Sequence, residues 1–358
     1  MEKVANNTEP KTSAVATKLS FSQSRQQQLN AQKVFAHGLA TVLLTKAIIF
    51  GPLERMKIVL QVNPLANYTN PSDRPKGALD LSNKISVNQG LLSFYRGNNA
   101  YLYKLAIQHI LKFMLYETVF QQFNHKNKND LNLTGTIAAA SATAIVTTAI
   151  TYPLDLAHGR MAADMSKKTI VVAMSKNASP VNNRPPRLYS SVRDCLTKTQ
   201  EQSGVVQSRK FMNMFRGIQS ALIAQVPYTV VLMTSFELFN TFLDSPSATF
   251  NKRDDHFFLY KYLTRFGAST FSLLLAQALC YPLDTVKRRM QVNGSLGFKN
   301  MYKSDLHCLQ TIIAKEGVRQ LYSGWSLNMV KCVPLTLMQY IMFQNLRFIS
   351  KEQRAKKE

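Results

Sequence analysis

The chain has 358 residues, with 44 Lys and Arg against 20 Asp and Glu and a formal net charge of +24, an excess that calls for an anionic partner: nucleic acid, acidic lipid or a small anionic solute. The basic residues are spread over the whole chain and stand at the ends of apolar stretches, which excludes the clustered stripe of a nucleic-acid face. Cys195, Cys280, Cys308 and Cys332 are far apart with no CxxC pair, so neither a metal site nor a disulfide framework is expected.

Residues 1–30 are rich in Ser, Thr, Gln and Asn and hold no apolar signal core; they read as a flexible tail. Six mainly apolar segments follow, at 34–61, 99–122, 135–161, 218–243, 258–291 and 325–349, each holding at least the roughly twenty residues that a helix needs to cross a ~30 Å hydrocarbon core. The mean hydropathy of −0.13 is low for membrane helices. It is expected if each helix shows one face to lipid and another to a water-filled cavity, with long polar connections between. The reading is an all-α membrane protein.

Taken in order, the segments repeat three times. The first, third and fifth end in Pro52-Leu53-Glu54-Arg55-Met56-Lys57, Tyr152-Pro153-Leu154-Asp155-Leu156-Ala157-His158 and Tyr281-Pro282-Leu283-Asp284-Thr285-Val286-Lys287. A polar connection follows each. Then come Tyr95-Arg96-Gly97, Phe215-Arg216-Gly217 and Tyr322-Ser323-Gly324, and after them the even-numbered segments. The units are 31–130, 131–250 with an insertion at about 166–186, and 251–350, with a short tail at 351–358.

A proline inside a membrane helix removes a backbone hydrogen bond and kinks the axis, so Pro52, Pro153 and Pro282 bring three helix ends together. Acid and base share a turn but project toward different neighbours, and each acid can meet the base of an adjacent helix. A ring of three ion pairs would close one mouth. Each is worth about 0–1 kcal/mol if wetted and more if dry, a scale suited to a gate that opens repeatedly.

The repeated Pro-x-acid-x-x-base units resemble those of the mitochondrial carriers, and within that family the chain is most similar to the ADP/ATP carriers. The similarity lies in Pro52–Lys57 with Leu60-Gln61-Val62, in Leu92–Asn98, in Tyr152–Asp155 continuing to Arg160-Met161-Ala162-Ala163-Asp164, and in Lys287-Arg288-Arg289-Met290. The last is an incomplete form of the Arg-Arg-Arg-Met-Met-Met signature. What the resemblance implies is a multi-pass bundle in the mitochondrial inner membrane, of six helices with three-fold pseudo-symmetry and short helices on the matrix side. It also implies solute exchange by alternating access, and cardiolipin bound near Arg96, Gly97, Arg216, Gly217 and Gly324, where free helix N–H groups suit phosphate. No other cofactor is expected.

Ionisable residues at membrane depth are expensive unless they face water or a ligand. Lys104, Gln108 and Lys112 share one face of the second segment. Lys331, with Gln339 and Asn328, lies on the sixth. Lys104 and Lys331 match by position the contact arginines of ADP/ATP carriers; snorkelling to an interface is the other explanation of such lysines. The fourth segment offers Ala224, Gln225, Tyr228 and Thr229; Tyr228 can stack a purine or simply pack between helices. The substrate set is thus Lys104, Gln108, Lys112, Gln225, Tyr228, Asn328 and Lys331, for an anion of nucleotide type.

Several positions depart from the pattern. His158 stands where the second sextet needs a base, and an ordinary histidine is mostly neutral there. At the opposite mouth Tyr116-Glu117 is followed by Phe120, Phe236-Glu237 by Asn240, and Phe343-Gln344 by Arg347, so no copy keeps both charges. Ile107 stands near the place of a usual proline, whereas Pro227 and Pro334 are present. Lys46 resembles a substrate-contact lysine but lies one residue farther from its proline. No nucleophile–base set or phosphate loop points to an enzyme. Two readings remain: an adenine-nucleotide exchanger working as a monomer, or a carrier-like chain that no longer transports and serves as a structural subunit of an inner-membrane respiratory complex.

Overall fold

The computed structural model describes residues 43, 45–67, 73–123, 133–165, 187–201, 212–243, 255–334 and 336–337. The insertion at 166–186 and Gln339 lie outside these, as do residues 343–347 and the side chains of Tyr116, Glu117, Phe120 and Asn240 at the opposite mouth. The described chain is helical: α1 Gly51–Val62, α2 Ala78–Gln89, α3 Asn98–Phe123, α4 Leu133–Ala163, α5 Val192–Glu201, α6 Ile218–Leu243, α7 Asp255–Val292, α8 Asp305–Glu316, and α9 at 325–334. Among the described residues the β-structure is one isolated bridge between Ala66 and Phe298.

In each of the three copies a short helix, α2, α5 or α8, lies between an odd and an even span. Segments 134–163, 212–239 and 264–292 are long and apolar enough to cross a membrane. At 26 residues, α3 is about 39 Å long, but Lys104 and Lys112 make it more polar; the first and sixth spans are described only in part. The short helices α2, α5 and α8 end their repeats' connections and are fixed by local signals. Ser304 caps α8 by accepting the His307 N–H at 3.2 Å, and Gly317, at φ 83°, ends it in a left-handed conformation that suits glycine.

The three odd helices α1, α4 and α7 meet one another pairwise, and the main apolar cluster lies at their meeting point. It joins Ile58 and Val62 of α1, Ala162 of α4, Val286 and Met290 of α7, and Ile312 of α8. Three fully buried arginines tie this end together. Arg55 donates from Nε to Ala162 O (3.1 Å), Arg160 to Gln291 O (2.8 Å) and Arg289 to Gln61 O (3.0 Å). Each accepting carbonyl belongs to the next repeat, so the three bonds close a cycle. The same guanidiniums reach the short helix of their own repeat: Gln89 at 2.7 Å, Thr199 at 2.8 Å, and both carboxylate oxygens of Glu316 at 2.8 and 2.7 Å. A planar fork with several fixed donors makes this double attachment possible.

Close approach at the starts of the even helices needs glycine. At Gly217 (φ 81°) a Cβ would come within 2.9 Å of Met290 Cβ and 3.0 Å of Tyr152 Oη, and at Gly97 (φ 83°) within 2.9 Å of Ala162 N. Nearby, Tyr152 Oη donates to Arg216 O (2.6 Å) and Tyr281 Oη to Ser323 O (2.8 Å).

One expectation needs correction. Pro153 and Pro282 lie inside α4 and α7, but Pro52 occupies the first turn of α1, directly after a π-helical turn at Thr45–Ile49. Proline is tolerated at a helix start because its missing N–H has no partner there anyway. The first odd span is therefore interrupted by a π turn and a restart, where the other two run through their proline.

Candidate functional site

The Pro-x-acid-x-x-base residues converge where α1, α4 and α7 meet. Lys57 of α1 pairs with Asp284 of α7 at 2.8 Å, and Lys287 of α7 pairs with Asp155 of α4 at 3.3 Å. Two links of the expected ring are therefore closed. Lys57 also stands 5.2 Å from the centre of the Tyr281 ring, a cation–π contact that covers its charge on the cavity side. Lys287 turns a second contact of 3.4 Å toward Asp284.

The third link takes another form. His158 does not meet Glu54: its ring stacks on Tyr101 at 4.8 Å between centroids, and Nδ1 lies 3.2 Å from Gly97 O. Its Nε2 is buried without a hydrogen bond. Glu54 instead binds Lys331 of α9 at 2.5 Å. Asp155 likewise takes Lys104 of α3 at 2.7 Å, together with Arg288 at 3.3 Å and Gln291 Nε2 at 3.1 Å. The sequence placed Lys104 and Lys331 in the substrate site; in this conformation their ammonium groups hold gate carboxylates.

The four residues of the incomplete signature divide their tasks. Lys287 and Arg288 pair with Asp155, Arg289 is one of the inter-repeat clamps, and Met290 belongs to the apolar cluster. Sequence reasoning missed the clamp because Arg55 stands at a different distance from its proline than Arg160 and Arg289 do, and repetition shows only when equivalent residues share a position.

Above the gate lies a cavity of about 270 Å³, lined by Lys57, Asp284, Lys287 and Lys331 on the charged side and by Gln225, Tyr228, Gln277 and Asn328 on a neutral polar side. Gln277 accepts from Asn328 Nδ2 and from Cys332 Sγ, the latter at 3.0 Å. This links α7 to α9 through a residue that no motif singles out. Thr229 is buried, its hydroxyl donating to Gln225 O at 2.8 Å, and it does not line this cavity. Gln108 and Lys112 are half-buried on α3 and do not line this cavity.

Lys46, whose spacing did not fit, is brought into the site by the π turn. The wider turn takes up one extra residue between Lys46 and Pro52, with Phe50 N donating to Thr45 O at 3.3 Å, as π turns do at functional positions. Lys46 then stands within electrostatic reach of Lys104, Lys112, Lys331 and Glu54. Neither Lys46 nor Lys112 has a carboxylate within ion-pair distance among the described residues. The site holds its three acids fully compensated and still has cations to spare.

The residues expected to bind lipid are engaged within the protein. Arg96 is buried and pairs with Asp164 at 3.1 Å, and Arg216 Nη1 donates to Asn293 O at 2.9 Å. Gly324, at φ 80°, would meet Lys57 O at 3.2 Å if it carried a Cβ. A groove of about 370 Å³ beside Tyr95, Arg96 and Gly97 is lined by Arg187 and Arg193 and opens at the start of α5.

Comparison with known proteins gives a consistent result. The family model described as mitochondrial carrier protein matches residues 27–127, 129–247 and 259–353. Mitochondrial substrate carrier family protein R of Dictyostelium discoideum is 26% identical over 87% of this chain and 92% of its own length. ADP,ATP carrier protein 3 of Saccharomyces cerevisiae is 26% identical over the same shares of the two chains. Mitochondrial carrier protein CoAc1 of Zea mays is 27% identical over 88% of this chain and 86% of its own.

Proposed function

This chain belongs to the mitochondrial carrier family, and on that premise we propose that it exchanges adenine nucleotides across the mitochondrial inner membrane by alternating access. One observation carries the reading. Lys331 lines a cavity whose opposite wall is neutral and polar, and Lys46 lies within electrostatic reach of Lys331, Lys112 and Lys104. The pairing suits a molecule with a polyanionic end and an uncharged, hydrogen-bonding aromatic end. Tyr228 offers the ring for stacking, worth about 1–3 kcal/mol, and Gln225, Gln277 and Asn328 offer amide donors and acceptors. Lysines bind phosphate as point charges, without the bidentate fork of arginine, so the site grips charge more than shape.

The conformation is one with the short-helix mouth shut. In the carrier arrangement that mouth faces the matrix, and the cavity then lies on its intermembrane-space side. The groove of Arg187 and Arg193 beside Gly97 suits an acidic phospholipid headgroup such as that of cardiolipin at the start of a short helix. The similarity to an ADP,ATP carrier, that of yeast, supports a nucleotide.

The test is uptake of labelled ADP into liposomes preloaded with ATP, with unlabelled anions added outside as competitors. Nucleotide di- and triphosphates should compete, and dicarboxylates and inorganic phosphate should not. Absence of uptake with any preloaded anion, joined to stoichiometric co-purification with a respiratory assembly in mild detergent, would replace transport by a structural role.

A further inference from the structure

Each gate carboxylate can be approached by two kinds of base. One comes from the ring of odd helices: Lys57, His158 or Lys287. The other comes from an even helix, at the seventh residue after Gly97, Gly217 or Gly324, where the chain has Lys104, Ala224 and Lys331. The two sets compensate for one another. Asp284 shares its cavity with Ala224, has no even-helix cation within ion-pair distance among the described residues, and has its ring base Lys57 at 2.8 Å. Asp155 has both, Lys287 at 3.3 Å and Lys104 at 2.7 Å. Glu54 has lost its ring base, since His158 is turned to Gly97 and Tyr101, and it holds Lys331.

We propose that Lys331 is the third base of the gate as well as a contact for the transported anion, so that the anion opens the gate by drawing one ammonium away from Glu54. Lys57 and Arg288 lie within electrostatic reach of Glu54 but make their contacts with Asp284 and Asp155. Among the described residues, Lys331 is therefore the ion-pair partner on which Glu54 depends. Lys104 is shared in the same manner, yet its removal still leaves Asp155 with Lys287 and Arg288. The lock at Glu54 is thus the one most sensitive to substrate. A neutral molecule of the right shape can fill the cavity but offers nothing that competes for Lys331, so selection for anions acts at the gate as well as in the cavity. The identity of the competing anion rests on the exchange reading above; the latch between Lys331 and Glu54 does not.

The test compares the full-length wild type with His158→Lys, Lys331→Ala and the double variant, purified in detergent, by unfolding temperature with and without ADP. Without ADP, Lys331→Ala should lower the transition by about 2–4 °C. Adding His158→Lys should restore most of it, because α4 then offers Glu54 the missing base. The rise caused by ADP should stay absent in both variants, since the substrate contact is still gone. In liposomes His158→Lys alone should slow exchange up to about five-fold, as it adds a lock that the anion does not reach. As a check independent of position 158, Lys331→Ala should cost nothing further in a Glu54→Gln background. An unchanged transition in Lys331→Ala, or a deficit that neither background removes, overturns the proposal. A wild type without any ADP shift fails the nucleotide reading, while the comparison without ADP still decides the latch.

Discussion

Lys46 shows how one residue's role depends on backbone geometry that spacing cannot convey. Counting from Pro52 places it on the wrong face of a regular helix; the π turn at Thr45–Ile49 absorbs the extra residue and returns it to the cation cluster. Two outcomes are expected. Lys46→Ala should raise the half-saturating nucleotide concentration about ten-fold, equivalent to ~1.4 kcal/mol, with little change in stability, measured as exchange in liposomes. Deleting Ala47 should convert the π turn to α and leave Lys46 facing the cavity, so exchange should be retained within about two-fold; its loss would show that the turn itself is required. The four cysteines are buried. Burial pushes the thiols of Cys195 and Cys308, on the short helices, up to about 12. At pH 7.5 they should react with a maleimide only after denaturation, since the thiolate is the nucleophile.

At the scale of elements, the arginine cycle joins the repeats as firmly as the gate does, on the side away from the cavity. Arg289→Ala should destabilise the protein by about 2–4 kcal/mol, because it removes charge-assisted bonds to Glu316 and the link to α1. Glu316→Gln should cost less, read as a smaller drop in unfolding temperature. Gly217→Ala forces a left-handed backbone and a clash at 2.9 Å, and a loss of about 2–4 kcal/mol is expected. Much at this scale was legible. The apolar lengths and the threefold sextet point to odd helices converging at charged ends. What stayed hidden was relational. Nothing in the sequence indicates that His158 would stack on Tyr101, or that Arg55 would do from one position what Arg160 and Arg289 do from another. Those outcomes depend on which carbonyl or ring lies opposite after packing.

For the whole molecule, the missing base at position 158 is no sign of a broken gate, because the charge is supplied from α9. The three acids Glu54, Asp155 and Asp284 each have a cation partner, an arrangement that the proposed exchange needs at one mouth. The residues of the opposite mouth enter the account only through their sequence. The most direct measurement is efflux of labelled ATP from liposomes holding the purified protein, followed before and after ADP is added outside. The account predicts negligible efflux before addition, rapid efflux after it, and loss of the response in Lys104→Ala with Lys331→Ala. Efflux that ignores external ADP, or that persists unchanged in the double variant, would contradict it.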